Sequence, residues 1–126
     1  MKINDEIAHE ELQLLYPEYE KALIENDVDT LTRMFWVSPL AVRFGATENL
    51  HGTDEIEAFR KTRPAVGLKR SIKRLEIVTF GRDFGSITLE FERESGGRVI
   101  RGRQSQAWVR LPEGWRIVSA HVSVLP

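Results

Sequence analysis

Arg43 stands inside the apolar run "AVRF", residues 41–44, where a charge is out of place. Its guanidinium keeps its proton at any useful pH, and burying it unpaired costs several kcal/mol. It must face water, a carboxylate of its own chain such as Glu48 or Asp54, or an anionic guest. Tyr19 shares a helical stripe with Leu12, Leu15, Tyr16 and Leu23. It is either a core tyrosine with a bonded hydroxyl or a group that gives and takes a proton. A nearby arginine would favour tyrosinate and move the phenol below its reference pKa of about 10. In "GRQSQAW", residues 102–108, Gln104, Gln106 and Trp108 alternate onto one side of a strand. A tryptophan belongs inside, so both amides are expected there with it, where they could grip a carboxylate or a urea-like group. Arg63, just before Pro64, is either a solvated helix-end residue or lines the mouth of such a site. Strict alternation puts His121 opposite the apolar row Val118, Ala120 and Val122, in a structural role. It would serve as a general base only if that row faced outward to a partner subunit.

These residue types suit a small, planar, anionic molecule. Arginine can hold a carboxylate through two parallel hydrogen bonds, and a phenol can move a proton. Other chemistries lack their parts. Cysteine is absent, and His9, His51 and His121 are far apart without an HxxxH or HxH pattern, so no metal or other cofactor is expected. There is no GxSxG and no glycine-rich phosphate loop. Residues 1–63 carry 13 acids and 7 bases and residues 64–126 carry 6 acids and 11 bases, which splits the net charge of −1 into −6 and +5. The basic segment "LKRSIKRLE" has no interleaved aromatic residue, which argues against nucleic acid. No apolar run reaches the roughly 18 residues of a membrane span, and "MKINDEIAHEEL" lacks the apolar stretch of a signal peptide. A cytoplasmic location is the resulting expectation.

The elements that must position these groups follow from periodicity. The 126 residues suffice for one domain with a single core. Residues 5 to 35 read as helical, capped by Asn4 or Asp5, interrupted at Pro17 and broken at "ENDVDT". Asp29 or Thr30 would cap the short second helix. Residues 40–44 form a short strand. Thr53 or Asp54 then caps a helix with Ile56 and Phe59 inward that ends before Pro64. From Lys69 onward the period is two. "SIKRLEIVTFG", "FGSITLEFERE", "RVIRGRQSQAWVRL" and "GWRIVSAHVSVL" are four strands with tight connections at Gly81–Asp83, Ser95–Gly97 and Pro112–Gly114. Helices followed by an antiparallel meander make an α+β fold. The concave space between the layers is the expected ligand pocket. The outer sheet face offers enough apolar alternation for a homodimer.

Five segments, "YEKALIENDVDTLTRMFW", "VRFGATENLHG", "EIEAFRKTRP", "GRQSQAWV" and "EGWRIVSAHVS", resemble the AtzH-like/HpxZ family over nearly the whole chain, in order. That family belongs to the SnoaL-like, NTF2-like superfamily. The resemblance implies a cone: a curved antiparallel sheet with helices packed on its concave face, residues 1–126 forming one such domain. It also implies a small amidohydrolase acting on an N-carboxylated urea such as 1,3-dicarboxyurea, decarboxylating it in cyanuric acid or related nitrogen catabolism. The alternatives are a protein of oxalurate catabolism and a non-catalytic accessory subunit of an amidohydrolase. The family's proposed pair is a tyrosine on the first helix and an arginine in the "VR.GA.EN" strand, which here are Tyr19 and Arg43. On that reading Arg43 holds a carboxylate and Tyr19 shuttles the proton. Asn49, Gln104 and Gln106 orient the amide, Trp108 forms an apolar wall, and Arg63 lines the mouth. Phe44 and His51 stand where the family pattern has tyrosines. A third reading, an isomerase or dehydratase for a larger apolar ligand, would need an inward acidic base, and none is evident.

Overall fold

The chain's helix-forming stripe begins where Asp5 accepts a hydrogen bond from the Ala8 N–H and ends where Asn26 takes up a left-handed conformation. The computed structural model describes residues 1–126. Helix α1 spans Glu6–Glu25 and buries Ala8, Leu12, Tyr16, Tyr19, Ala22 and Leu23. It runs through Pro17 as one helix, so the proline, expected to kink the helix or begin a new one, does not begin a new one. Pro17 and Gln13 are both exposed, so the carbonyl that loses its partner faces water. Helix α2, Val28–Met34, is capped by Asp27 rather than Asp29 or Thr30. Asp27 accepts from both the backbone and the hydroxyl of Thr30.

Strand β1, Val42–Phe44, turns at Gly45 into β2, Asn49–His51, a short strand that the hydropathy pattern did not announce. Helix α3, Gly52–Thr62, follows directly and stops before Pro64. Its N-cap is His51, which makes no side-chain cap bond; Thr53 and Asp54, the expected caps, lie inside the first turn, and the Thr53 hydroxyl accepts from the Ser38 N–H at 2.8 Å. Strands β3 (Ser71–Phe80), β4 (Phe84–Ser95), β5 (Arg98–Leu111) and β6 (Gly114–Val124) form the meander. The sheet is larger than that meander. Its order is β2-β1-β6-β5-β4-β3, with β1 parallel to β6 and every other pair antiparallel. Three helices and this curved six-stranded sheet make a mixed α+β fold.

One row across the sheet positions the interior. Cross-strand register aligns Leu50, Arg43, Ala120, Gln106, Ile87 and Ile77 from edge to edge. The first five of these are buried. The row is continuous only because β6 carries an extra residue. Trp108 pairs with Ile117 but Ala107 pairs with Ser119, so Val118 is bulged out. Ile117 therefore faces inward on one side of the bulge and Ala120 on the other. Strict alternation would put Ile117 and His121 on one face, and the bulge separates them. His121 is exposed, its ring edge-on to Phe44 at 5.8 Å, with His51 on the same ring at 5.7 Å.

Candidate functional site

Tyr19 reaches the sheet from the middle of α1, and aromatic rings enclose it. Tyr16, Phe35 and Trp108 lie with ring centroids 5.8, 6.5 and 6.4 Å away. Its hydroxyl accepts a hydrogen bond from Arg60 Nη2 at 3.2 Å. Arg60 is 0% exposed, lies over the Phe35 ring, and has no carboxylate partner. Its Nε and Nη1 are buried without any hydrogen bond. Such a group is costly to bury, since each unmatched buried donor forfeits its water and a whole charge forfeits far more. The reading of the sequence passed over Arg60. The available signal was spacing: Arg60 stands four residues after the inward Ile56, on one stripe of α3.

Two further arginines converge on the same place. Arg43 is buried and donates through Nη1 to Glu48 at 3.2 Å, the one hydrogen bond its guanidinium makes. Gly45 makes that pair possible, because any side chain there would occupy the place of the Glu48 carboxylate. The internal partner allowed for Arg43 is therefore present, on one nitrogen only. Arg63 donates through Nε to Asn26 at 2.9 Å, while its Nη2 is buried and unpaired. Phe59 lies between them, 5.4 Å from the Arg43 guanidinium and 5.8 Å from that of Arg63. Three guanidiniums thus face one carboxylate, Glu48, an excess of two positive charges.

The titration of these groups reflects that excess. Burial favours the neutral Tyr19 phenol, but the Arg60 charge, then Arg43, the Arg60 hydrogen bond and Arg70 outweigh it, so the hydroxyl is held below the usual phenol value. Burial, together with the Arg60 and Arg43 charges, pulls Arg63 down to about 10. Tyr16 goes the other way: burial and the neighbouring Glu20 push it well above the phenol range. The chain has two tyrosines, so tyrosinate absorbance should rise in two separated steps. The first should fall below the reference of about 10 and vanish in Tyr19→Phe, and the second should await alkaline unfolding. Both tyrosines ionising together near 10 would refute the arginine-held phenol.

The three inward side chains of β5 do different things. Gln104 is committed internally: Oε1 accepts from Arg70 at 2.8 Å and Nε2 donates to the Tyr16 hydroxyl at 2.9 Å. Arg70 is in turn clamped by both oxygens of Glu20, and Tyr16 donates to Glu20. That network closes on itself beside the arginine cluster. Gln106 is different. The Trp108 indole donates to its Oε1 at 2.9 Å, and its Nε2 is buried without a partner. Asn49, by contrast, lies outside the cluster. Leu50 faces inward on β2, so its neighbours Asn49 and His51 face solvent. The structure thus brings together Tyr19, Arg43, Arg63, Gln106 and Trp108, adds Arg60, ties Gln104 into a neighbouring network and leaves out Asn49.

The groups expected to line a pocket between the layers are largely buried: Tyr19, Arg43 and Gln106, and Arg60 with them. Surface clefts of about 380–630 Å³ exist, but none is lined by Tyr19, Arg43, Arg60, Arg63 or Gln106. The segment between Arg63 and Arg70 makes no backbone hydrogen bond, and Val66 within it is 80% exposed.

The sequence model of the AtzH-like family matches residues 1–126. A search of curated proteins found no match. Among solved structures, a protein of unknown function from the DUF3225 family of Pectobacterium atrosepticum is 44% identical. It has a TM-score of 0.94, over 98% of this chain and 95% of its own. A cystatin-like fold protein from Burkholderia xenovorans is 39% identical with a TM-score of 0.90, over 100% and 99% of the two chains. An NTF2-like superfamily protein from Salmonella enterica, at 23% identity and a TM-score of 0.76 over 95% and 92%, shares the fold. No helix is long and apolar enough to cross a membrane.

Proposed function

The chain belongs to the AtzH-like family, and from that membership and its arginine cluster we propose that it is a hydrolase cleaving a C–N bond of a small dicarboxylated urea such as 1,3-dicarboxyurea. One observation carries this reading: Arg60, bonded to the Tyr19 hydroxyl, and the neighbouring Arg63 and Gln106 all keep buried donors without partners. An excess of two positive charges matches a guest with two carboxylates, and a guest of that kind relieves the cost of burying them.

The chemistry follows from where charge moves. When the carbamate C–N bond breaks, its electron pair passes to nitrogen and the carboxylate departs as carbon dioxide. The nitrogen then needs a proton, which the Tyr19 phenol supplies, and the resulting tyrosinate regains one from water. After hydration of the carbon dioxide, the net change is hydrolysis to a monocarboxylated urea and bicarbonate. The departing carboxylate loses its charge, so an arginine holding it would oppose the reaction. Arg43, Arg60 and Arg63 act instead on the retained carboxylate and on the central carbonyl oxygen, where charge develops. A phenol held below its usual pKa is the stronger acid, and Arg60 is poised to stabilise the tyrosinate it leaves.

The test is direct. Purified protein is mixed with freshly generated 1,3-dicarboxyurea and, separately, with oxalurate; carbon dioxide release is followed for the first and loss of oxalurate for the second. Release from dicarboxyurea well above the uncatalysed rate is expected. Turnover of oxalurate alone would move the substrate to a monoanion, and no turnover of either would leave the chain without the proposed activity.

A further inference from the structure

We infer that the substrate sits over Ala120, and that Ala120 and Gln106 decide which anions fit. This rests on the reading that the arginine cluster takes a dicarboxylated guest. Ala120 lies directly between Arg43 and Gln106 in the row across β1, β6 and β5. Adjacent strands lie about 4.8 Å apart, so the backbones of Arg43 and Gln106 are separated by roughly 10 Å. Only a methyl group rises from the sheet between these two long side chains. Their neighbours along the row are bulky: Leu50 on one side and Ile87 on the other. The row is therefore low at Ala120 and polar on both flanks of it.

Gln106 contributes a fixed donor. An indole N–H can only donate, so the oxygen of the Gln106 amide must be the end that meets Trp108. The NH₂ end then points away from Trp108, and it is the end without a partner. Trp108 is 0% exposed, which holds the arrangement. Arg43 and the Gln106 amide beside Ala120, and Arg60 and Arg63 in the same cluster, are therefore donors, while the acceptors are Tyr19 and a Glu48 already committed to Arg43. This favours a guest whose periphery is made of carboxylate and carbonyl oxygens, and it disfavours amines and amides lacking them.

The probe is acetonedicarboxylate, freshly dissolved. It keeps both carboxylates and the central carbonyl of dicarboxyurea but replaces each N–H by CH₂, so it has no C–N bond to cleave. Calorimetric titration of the wild type should show binding. Ala120→Leu should fill the seat and weaken binding by at least about a hundredfold, as overpacking forces either guest or side chain out. Gln106→Glu changes almost no volume. It should also weaken binding by at least about a hundredfold, because a carboxylate placed among the guanidiniums takes the guest's role. The same variant should melt a few degrees higher than wild type without ligand. If Ala120→Leu fails to fold by circular dichroism, Gln106→Glu carries the test alone. Wild-type affinity in Gln106→Glu, or in a folded Ala120→Leu, would overturn the seat. If that occurs while the wild type still turns over dicarboxyurea, the proposed function stands and only the seat is wrong. If the wild type neither binds the probe nor turns over dicarboxyurea, both fall.

Discussion

Arg60→Met should make the ligand-free protein more stable and the enzyme inactive. The expectation is unusual, since Arg60 is fully buried and truncating a core side chain normally costs several kcal/mol. Arg60 differs because its charge has no carboxylate, two of its nitrogens have no hydrogen bond, and its guanidinium is already pulled below its usual pKa. Burial causes that fall, Tyr19 opposes it and the Arg43 charge adds to it. Methionine has a comparable length and no desolvation cost. Replacing buried ionic groups by apolar ones of similar volume is often neutral or stabilising by about 1–4 kcal/mol. The lost bond to Tyr19 subtracts about 1 kcal/mol from that gain. Turnover should fall by about a thousandfold or more, the scale on which a preorganised donor acts. Thermal melts with and without acetonedicarboxylate check both halves. The wild type should be stabilised by the anion, and Arg60→Met should start higher and not respond. A variant several degrees less stable than wild type would mean that the Arg60 charge is already compensated, and the case for an anionic guest would lose its basis.

Tyr19→Phe should separate binding from chemistry. The ring and its contacts with Tyr16, Phe35 and Trp108 persist, so affinity for acetonedicarboxylate should stay within about threefold of wild type. The proton donor is gone, so kcat should fall by about 10²–10⁴. Arg60 Nη2 joins the unpaired donors, at a cost of about 1–3 kcal/mol in stability. Tyr16→Phe is the comparison. The Tyr16 hydroxyl accepts from Gln104 and donates to Glu20, so its loss should lower the melting temperature while turnover continues. Full activity in Tyr19→Phe would remove the phenol from the mechanism.

Much of this arrangement was legible in residue types and spacing. The stripe from Leu12 to Leu23 put Tyr19 inward, the two-residue period of "GRQSQAW" put Gln104, Gln106 and Trp108 on one face, and Arg43 announced itself as a charge in an apolar strand. Other features were not legible, each for a physical reason. Arg60 sits in "EAFRKTRP", where arginines read as solvated, and its burial depends on how α3 packs on α2 and the edge of the sheet. The three-residue β2 and the parallel pairing of β1 with β6 are tertiary events with too little local pattern to betray them. Gln104 and Gln106 look alike in the sequence. Only the fold brings Arg70 and Tyr16 to one amide and leaves half of the other bare.

The extra residue at Val118 works as a parity setting for the end of the chain. Upstream of it Trp115 and Ile117 point into the protein, and downstream the even-numbered Ala120 does. Were the strand to pair in step there with every residue kept, simple alternation would resume and every later side chain would turn to the opposite face. Ser119 would then stand opposite Gln106 and His121 opposite Gln104, in place of the single methyl of Ala120. The place of Ala120 between Arg43 and Gln106 is thus decided by how the backbone pairs at Val118 and not by the side chain there.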